Sequence, residues 1–159
     1  MAVEIKYGHL RGGEQGFPVT VAASQVFLAT SAKFVKRTAA GTATVTKVTG
    51  GATDSNILGH LELQEVNSSD GTEVVKCIND DTAIYRVPVI HGTYAATMKG
   101  RKCDIAISSA ATGLRQGASM VSDTYGHLII VDGDLVDNSW VDVRINKTYA
   151  EANIIGVSI

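Results

Sequence analysis

The chain has 159 residues, 45% of them hydrophobic and 19% charged, and a formal net charge of −2. This length is enough to bury a core without disulfide or metal crosslinks, so we expect one domain. Residues 1–80 and 81–159 each carry 7 basic and 8 acidic side chains, so neither half has the clustered positive surface that phosphate binding needs. The composition therefore argues against a nucleic acid as the main partner.

A membrane partner and a secretory route are not expected either. No apolar run approaches the roughly 18 residues that a spanning helix needs, and no stretch is polybasic. The start, "MAVEIKYGHLRGGEQG", has charges where a signal peptide has its apolar core. We therefore expect synthesis in a cytoplasm.

Residues 1–20 are predicted to form an extended N-terminal arm. Four glycines and the pair Phe17-Pro18 interrupt them, and they offer little continuous apolar surface. An arm of this kind is poorly ordered unless it docks on something. Two interpretations remain open: a frayed terminus, or a segment that becomes ordered on a partner.

Short β-strands are predicted after the arm, because β-branched and aromatic residues fit a pleated sheet better than a helix. Between Ser24 and Ile78 these strands are SQVFLAT (24–30), AKFVKRT (32–38), TATVTKVT (42–49), NILGHLELQEV (56–66) and VVKCI (74–78). Asp70-Gly71 is a strong signal for a hairpin turn between the last two.

The second half of the chain continues the pattern with AIYRVPV (83–89), RKCDIAIS (101–108), HLIIVD (127–132), WVDVRIN (140–146) and a possible last strand, NIIGVSI (153–159). Pro88 cannot donate to a ladder, so its strand is predicted to lie at an edge or to carry a bulge. Residues 109–126 are predicted to be a long loop of small residues.

These elements predict an all-β protein, a single small β-barrel or β-sandwich of about ten short strands over residues 21–159, preceded by the arm. No apolar spacing indicates a sustained helix. No internal repeat and no interdomain linker is expected.

The sequence holds no recognisable metal or cofactor motif. No two histidines have the spacing of a metal site, which predicts ordinary structural or surface roles for His9, His60, His91 and His127. Residues 132–137, "DGDLVD", are rich in carboxylates, but the EF-hand pattern fails and a strand turn is favoured over a calcium site.

A catalytic site is not indicated either. No G-x-S-x-G motif occurs, and neither glycine-rich stretch follows the pattern of a phosphate loop. Cys77 and Cys103 are predicted to be two buried free thiols, with a disulfide between them as the alternative. We expect no enzyme activity.

A family resemblance starts from "AIYRVPVIHGTYAATMKGRKCDIAISSAATGLRQGASMVSDTYGHLIIVD" followed by "WVDVRIN". A strand that ends in R-V-P precedes a Gly-Thr connection and a Gly-Arg-Lys strand with Asp and Ile. A small-residue loop and a final hairpin with an acidic turn follow. This C-terminal half resembles the small capsid decoration (cement) proteins of tailed bacteriophages.

The resemblance implies a structural virion protein that binds the outside of an expanded phage capsid and bridges neighbouring major capsid subunits, often as a trimer. Its expected partners are the major capsid protein and two further copies of itself, and its expected location is the capsid exterior. It implies no catalytic residue, cofactor or metal. Exposed apolar, aromatic and arginine side chains would form the contacts. The candidates are Ile5, Tyr7 and Phe17 of the arm and Leu114, Arg115 and Met120 of the long loop.

Two other functions remain open. One is a different phage virion β domain, from a tail tube, neck or fibre. The other is a carbohydrate-binding or hydrolytic β module, which would present exposed aromatic residues or paired carboxylates. Only 6% of the residues are aromatic, and the one tryptophan, Trp140, lies in a predicted strand.

Overall fold

A computed structural model describes residues 5–13, 16–51, 54, 56–80, 82–108 and 115–151. These residues form thirteen strands and one 3-10 turn (Ala96–Met98), which confirms the expected all-β class. The strands are β1 (Gly8–Arg11), β2 (Gly16–Val21), β3 (Gln25–Phe27), β4 (Phe34–Arg37), β5 (Thr44–Lys47), β6 (Gly59–Leu61), β7 (Val66–Ser68), β8 (Val74–Ile78), β9 (Ile84–His91), β10 (Lys102–Ile107), β11 (Gln116–Ser119), β12 (Leu128–Gly133) and β13 (Trp140–Ile145).

The first half of the chain closes into a five-stranded barrel in the order β2-β5-β4-β6-β8. β2 and β5 run parallel, and every other neighbouring pair, including β8 and β2, is antiparallel. Its core is formed by side chains such as Val21, Phe27 and Val45, which are fully buried. We call this unit the first barrel.

The second half also closes on itself. Its sheet has the order β1-β9-β11-β10-β12-β13, and a further pairing of β13 with β9 joins the ends of the five strands β9 to β13. The parallel pair here is β9 with β11. We call this ring the second barrel, and β1 is attached to the outside of the ring along β9.

The two barrels have the same topology. Numbered along the chain within each barrel, the strand order is 1-3-2-4-5 in both, and the parallel pair is 1 with 3 in both. The sequence carries a trace of this repeat, which was not expected. One stretch begins with Gly59-His60-Leu61 and ends at Ile78. A second stretch of the same length begins with Gly126-His127-Leu128 and ends at Ile145.

The arm expected over residues 1–20 is part of both barrels where the structure describes it. β1 pairs with β9 of the second barrel, with Gly8 opposite Arg86. β2 pairs with β8 along its length, with Phe17 opposite Cys77. The chain therefore contributes a strand to the second barrel before it starts the first, and residues 16–20 belong to the first barrel.

The barrels are joined by one shared apolar cluster and by Gln116. The larger buried cluster contains Phe34 and Val48 of the first barrel together with side chains of the second. The amide of Gln116, which is fully buried on β11, enters the ladder between β4 and β5. Val48 N donates to Phe34 O, as in a regular antiparallel ladder. The second bond of the pair, from Phe34 N to Val48 O, is replaced by the Gln116 amide: Phe34 N donates to Gln116 Oε1 (2.7 Å), and Gln116 Nε2 donates to Val48 O (2.7 Å).

The strand with Pro88 is expected to lie at an edge or to carry a bulge, and the second alternative fits. β9 is not an edge strand, since it has neighbours on both sides, but its register with β11 is irregular between Val89 and His91, next to Pro88.

The expected loop over 109–126 contains β11. Asp70-Gly71 is a turn, with Gly71 at a φ of 80°. The predicted segments on its two sides do pair antiparallel, with His60 of β6 opposite Ile78 of β8, but β7, which directly precedes the turn, pairs with β3 instead.

Candidate functional site

The described residues contain one arrangement that resembles a hydrolytic triad, and its hydrogen bonds are wrong for that role. Ser122 Oγ donates to Asp104 Oδ2 at 2.6 Å, so the serine is bound to the carboxylate and not to a base. The carboxylate also accepts the N–H groups of Tyr125 and Gly126. A nucleophilic serine needs a base within hydrogen-bond reach. His127 is fully buried and forms no hydrogen bond with Ser122.

His60 and His127 hold equivalent strands of the two barrels in place. Both are buried: His60 lies on β6, and His127 lies directly before β12. His60 accepts the backbone N–H of Lys33, directly before β4 (3.0 Å), and His127 accepts that of Ile105, in the middle of β10 (3.3 Å). Burial lowers the pKa of His60 to about 3 and also lowers that of His127. Both are therefore neutral, structural groups near pH 7.

The two thiols and Lys33 are also inaccessible. Cys77 and Cys103 are free and buried, as predicted, and burial raises the pKa of each thiol to about 12. Lys33 is fully buried, where desolvation lowers its pKa to about 8 and Ser31 O accepts from its Nζ. None of these nucleophiles can reach a substrate. No group of three potential metal ligands occurs in the part of the chain that the structure describes.

The carboxylate-rich segment 132–137 forms a strand turn, as predicted. The Asp134 carboxylate accepts the N–H groups of Val136, Asp137 and Ser139 and the Ser139 hydroxyl. These bonds favour the charged form and lower the pKa of Asp134 to about 2. The middle carboxylate of the segment is thus used in fixing the backbone of the turn.

This fixed turn exposes apolar side chains at one end of the second barrel. Leu135 is 65% exposed and Val136 is 88% exposed. Val121, 72% exposed, lies on the neighbouring loop. Both loops reach Gly92: the Val121 side chain lies beside it, and Asn138 Nδ2 donates to its carbonyl. We call Val121, Leu135 and Val136 the barrel-end patch. Exposed apolar side chains on a rigid turn favour binding to another macromolecule.

A groove of about 610 Å³ lies between the two barrels. One wall is residues 5–9, which lead into β1, and the other is residues 61–64, which follow β6. Ala29, Thr30 and Arg115 complete the lining. Arg115 Nε donates to Thr30 O at 2.7 Å, and its guanidinium lies 5.6 Å from the centre of the Tyr7 ring. We call this the interbarrel groove.

The groove brings together three of the six residues singled out in the sequence: Ile5, Tyr7 and Arg115. Phe17 instead packs against the core of the first barrel. Met120 is buried in the core of the second, so the expected exposure there is wrong. Leu114 lies outside the described residues.

The barrel-end patch and Leu63 were missed by sequence reasoning. A signal for the patch was present: Leu135-Val136 is an apolar pair inside a turn, "GDLVDN", where side chains have no core to enter. Leu63, 48% exposed in the groove, follows the buried Leu61 in a strand-like alternation that predicts burial.

Trp140 is not a free aromatic platform for a sugar. The Arg86 guanidinium stacks 3.7 Å from the centre of its ring and forms two hydrogen bonds with the Asp142 carboxylate, at 2.8 and 3.0 Å. One face of the Trp140 ring is therefore occupied by Arg86 of β9, which pairs with Asp142 of β13.

Comparison with known proteins identifies no relative. No family model, no curated protein and no solved structure matches the chain. Among the described residues, no helix is long and apolar enough to cross a membrane.

Proposed function

We propose that this chain is a non-enzymatic virion protein that binds the outer surface of a phage capsid and bridges neighbouring major capsid subunits, as a homotrimer. The observation that carries the proposal is the barrel-end patch, in which a hydrogen-bonded turn holds Leu135 and Val136 out in solvent. Holding apolar side chains in a fixed, exposed position reduces the ordering cost of binding. The phage capsid as partner rests on the resemblance of the C-terminal half.

The two joined barrels suit a bridging role. Bridging requires separate contact surfaces on one stiff body, and the shared core and the Gln116 amide join the barrels into such a body. The barrel-end patch and the interbarrel groove are two such surfaces with no lining residue in common. A contact that is weak at one site becomes strong when it is repeated over a shell.

The proposal is tested by co-sedimentation of the purified chain with expanded capsids of the phage that encodes it, stripped of this protein. Changing Leu135→Ser and Val136→Ser together should weaken binding at least about tenfold, because each side chain would lose its burial against the shell. Val74→Ser is the matched control, since Val74 is 61% exposed on β8 of the first barrel. Equal binding by the double variant and the control would contradict the role of the patch.

A further inference from the structure

We propose that the interbarrel groove binds an extended segment of the capsid partner, which adds to β1 as a further strand and places an acidic side chain beside apolar ones. This inference rests on the proposed function for the identity of the partner. The occupant itself is indicated by three features of the groove: an unpaired strand edge, an apolar lining and a positive charge.

The strand edge belongs to β1. Among the described strands, β1 pairs with β9 alone, so its outward N–H and C=O groups have no strand partner. Gly8 and His9 of β1 line the groove. An unpaired edge is a template for strand addition, in which main-chain hydrogen bonds give affinity and pockets for alternate side chains give selectivity.

The apolar lining lies on both walls. Ile5 and Tyr7 line one wall, and Leu61 and Leu63 line the other. Leu63 is 48% exposed although it is a large apolar side chain next to a buried one. A strand that enters between the walls would cover it, which gives apolar side chains of the segment a place to pack.

The charge of the groove favours an acidic residue. Lys6 and Arg115 are its cations and Glu62 is its one carboxylate among the described residues. Glu62 is paired with Lys76 at 3.1 Å, outside the lining, so its charge is partly balanced. The groove therefore keeps a positive balance that complements a carboxylate on the segment.

The walls are fixed before any segment binds. Tyr7 Oη donates to Ser139 O at 3.2 Å, which ties the first wall to the second barrel. Leu61 N donates to Lys33 O at 2.9 Å, which ties the second wall to the residue directly before β4. A preformed groove loses little conformational entropy on binding, so short segments can bind it measurably.

The test uses overlapping fluorescent peptides of about twelve residues that span the major capsid protein of the same phage, with binding to the full chain measured by anisotropy. We expect one region of that sequence to bind saturably and to lose affinity at least tenfold with Leu63→Asp. Lys6→Gln should weaken the same peptide and reduce its salt dependence. Val74→Asp is the matched control, since Val74 is exposed on β8 outside the groove, and it should leave peptide binding unchanged.

Strand addition itself is tested on the peptide that binds. N-methylation of alternate backbone nitrogens should abolish binding in one of the two alternations, since these groups bond to β1. Equal binding by both methylated forms would overturn the strand addition. Circular dichroism checks that each variant is folded, and Leu63→Ser replaces Leu63→Asp if the latter does not fold.

The two proposals fail differently. If the chain co-sediments with capsids but binds no peptide, the groove proposal is wrong and the proposed function stands. If it binds a peptide but no capsid, the capsid surface is the wrong partner. If Leu63→Asp converts a wild-type oligomer into monomers in sedimentation velocity, the groove holds a second copy of this chain and the inference is overturned.

Discussion

Replacing Gln116 with methionine should strongly destabilise the protein, because the Gln116 amide completes the β4–β5 ladder. Methionine has a similar volume and no amide. Phe34 N and Val48 O would lose their only side-chain partner, whereas Phe34 O would keep the bond from Val48 N. Each buried orphan group costs about 1 to 3 kcal/mol, so Gln116→Met should lower the free energy of unfolding by about 2 to 6 kcal/mol. This is a large share of the stability of about 5 to 15 kcal/mol typical of small proteins.

Urea unfolding followed by circular dichroism measures this change. Gln64→Met is the matched control, since Gln64 is exposed on the segment after β6, and it should leave the midpoint nearly unchanged. The free energies are compared at equal slope, because a changed slope would indicate a different unfolded or native state. A loss below about 1 kcal/mol for Gln116→Met would refute the view that the amide replaces a ladder bond.

Three further predictions concern titration, thiols and the turn. Burial lowers the pKa of His60 to about 3 in the folded chain, from the ordinary histidine value of 6.5. Below pH 6.5 the unfolded chain therefore binds more protons at His60 than the folded chain does. The contribution of His60 to stability is therefore complete above that pH and is lost progressively below it, by about 1.4 kcal/mol at pH 5.5. Urea unfolding at pH 7.5 and at pH 5.5 measures this loss. Equal or higher stability at pH 5.5 would refute the prediction. Cys77 and Cys103 should not react with a thiol reagent at pH 8 until the chain is denatured, and rapid labelling of the native protein would contradict their burial. Asp134→Ala should weaken capsid co-sedimentation about tenfold, since the freed turn would have to be ordered on binding, and it should lower the urea midpoint because the hydrogen bonds to the carboxylate are lost; undiminished capsid binding would contradict this.

Most strands were predictable because their composition and their alternation of apolar and polar residues are local features of the sequence. VVKCI is β8 as predicted, and WVDVRIN contains β13, with Val141 and Val143 buried as the alternation indicates. In such segments, β-branched residues and period-two alternation agree with the final burial. The all-β class follows from these segments alone.

β11 was not predictable from propensity. Its four residues, Gln116–Ser119, are small or polar, yet all four are buried. Gly117 allows a close approach, since a Cβ there would lie 2.3 Å from Pro88 O of the parallel neighbour β9. Burial here is decided by contacts between distant strands, which a local pattern does not contain.

The closure into two barrels was hidden for a related reason. Pairings such as β2 with β5 and β13 with β9 join strands far apart in the chain, and no turn motif specifies them. The repeated Gly-His-Leu was the one local sign, since the same residues mark the start of the fourth strand in each barrel. A repeated sequence of three residues does not indicate an internal repeat unless the topology is known.

The candidate site was partly predictable. Ile5, Tyr7 and Arg115 were chosen as aromatic, apolar or arginine anchors and meet in the interbarrel groove. The expected exposure of Met120 is wrong because this residue directly follows the buried strand β11 and packs in the core of the second barrel. Leu135-Val136 was recognisable as an apolar pair inside a turn, whereas the position of Val121 at the same barrel end depends on the topology.

The central claim is tested most directly by the stoichiometry of binding to the shell. Purified chain is added in increasing amounts to stripped, expanded capsids of the encoding phage, and bound protein and shell stability are measured after sedimentation. The proposed function predicts saturable binding in multiples of three at three-fold or quasi-three-fold positions, with a raised temperature of shell disruption. A folded chain that fails to sediment with the capsids, or that assembles by itself into rings or tubes, would contradict the capsid role.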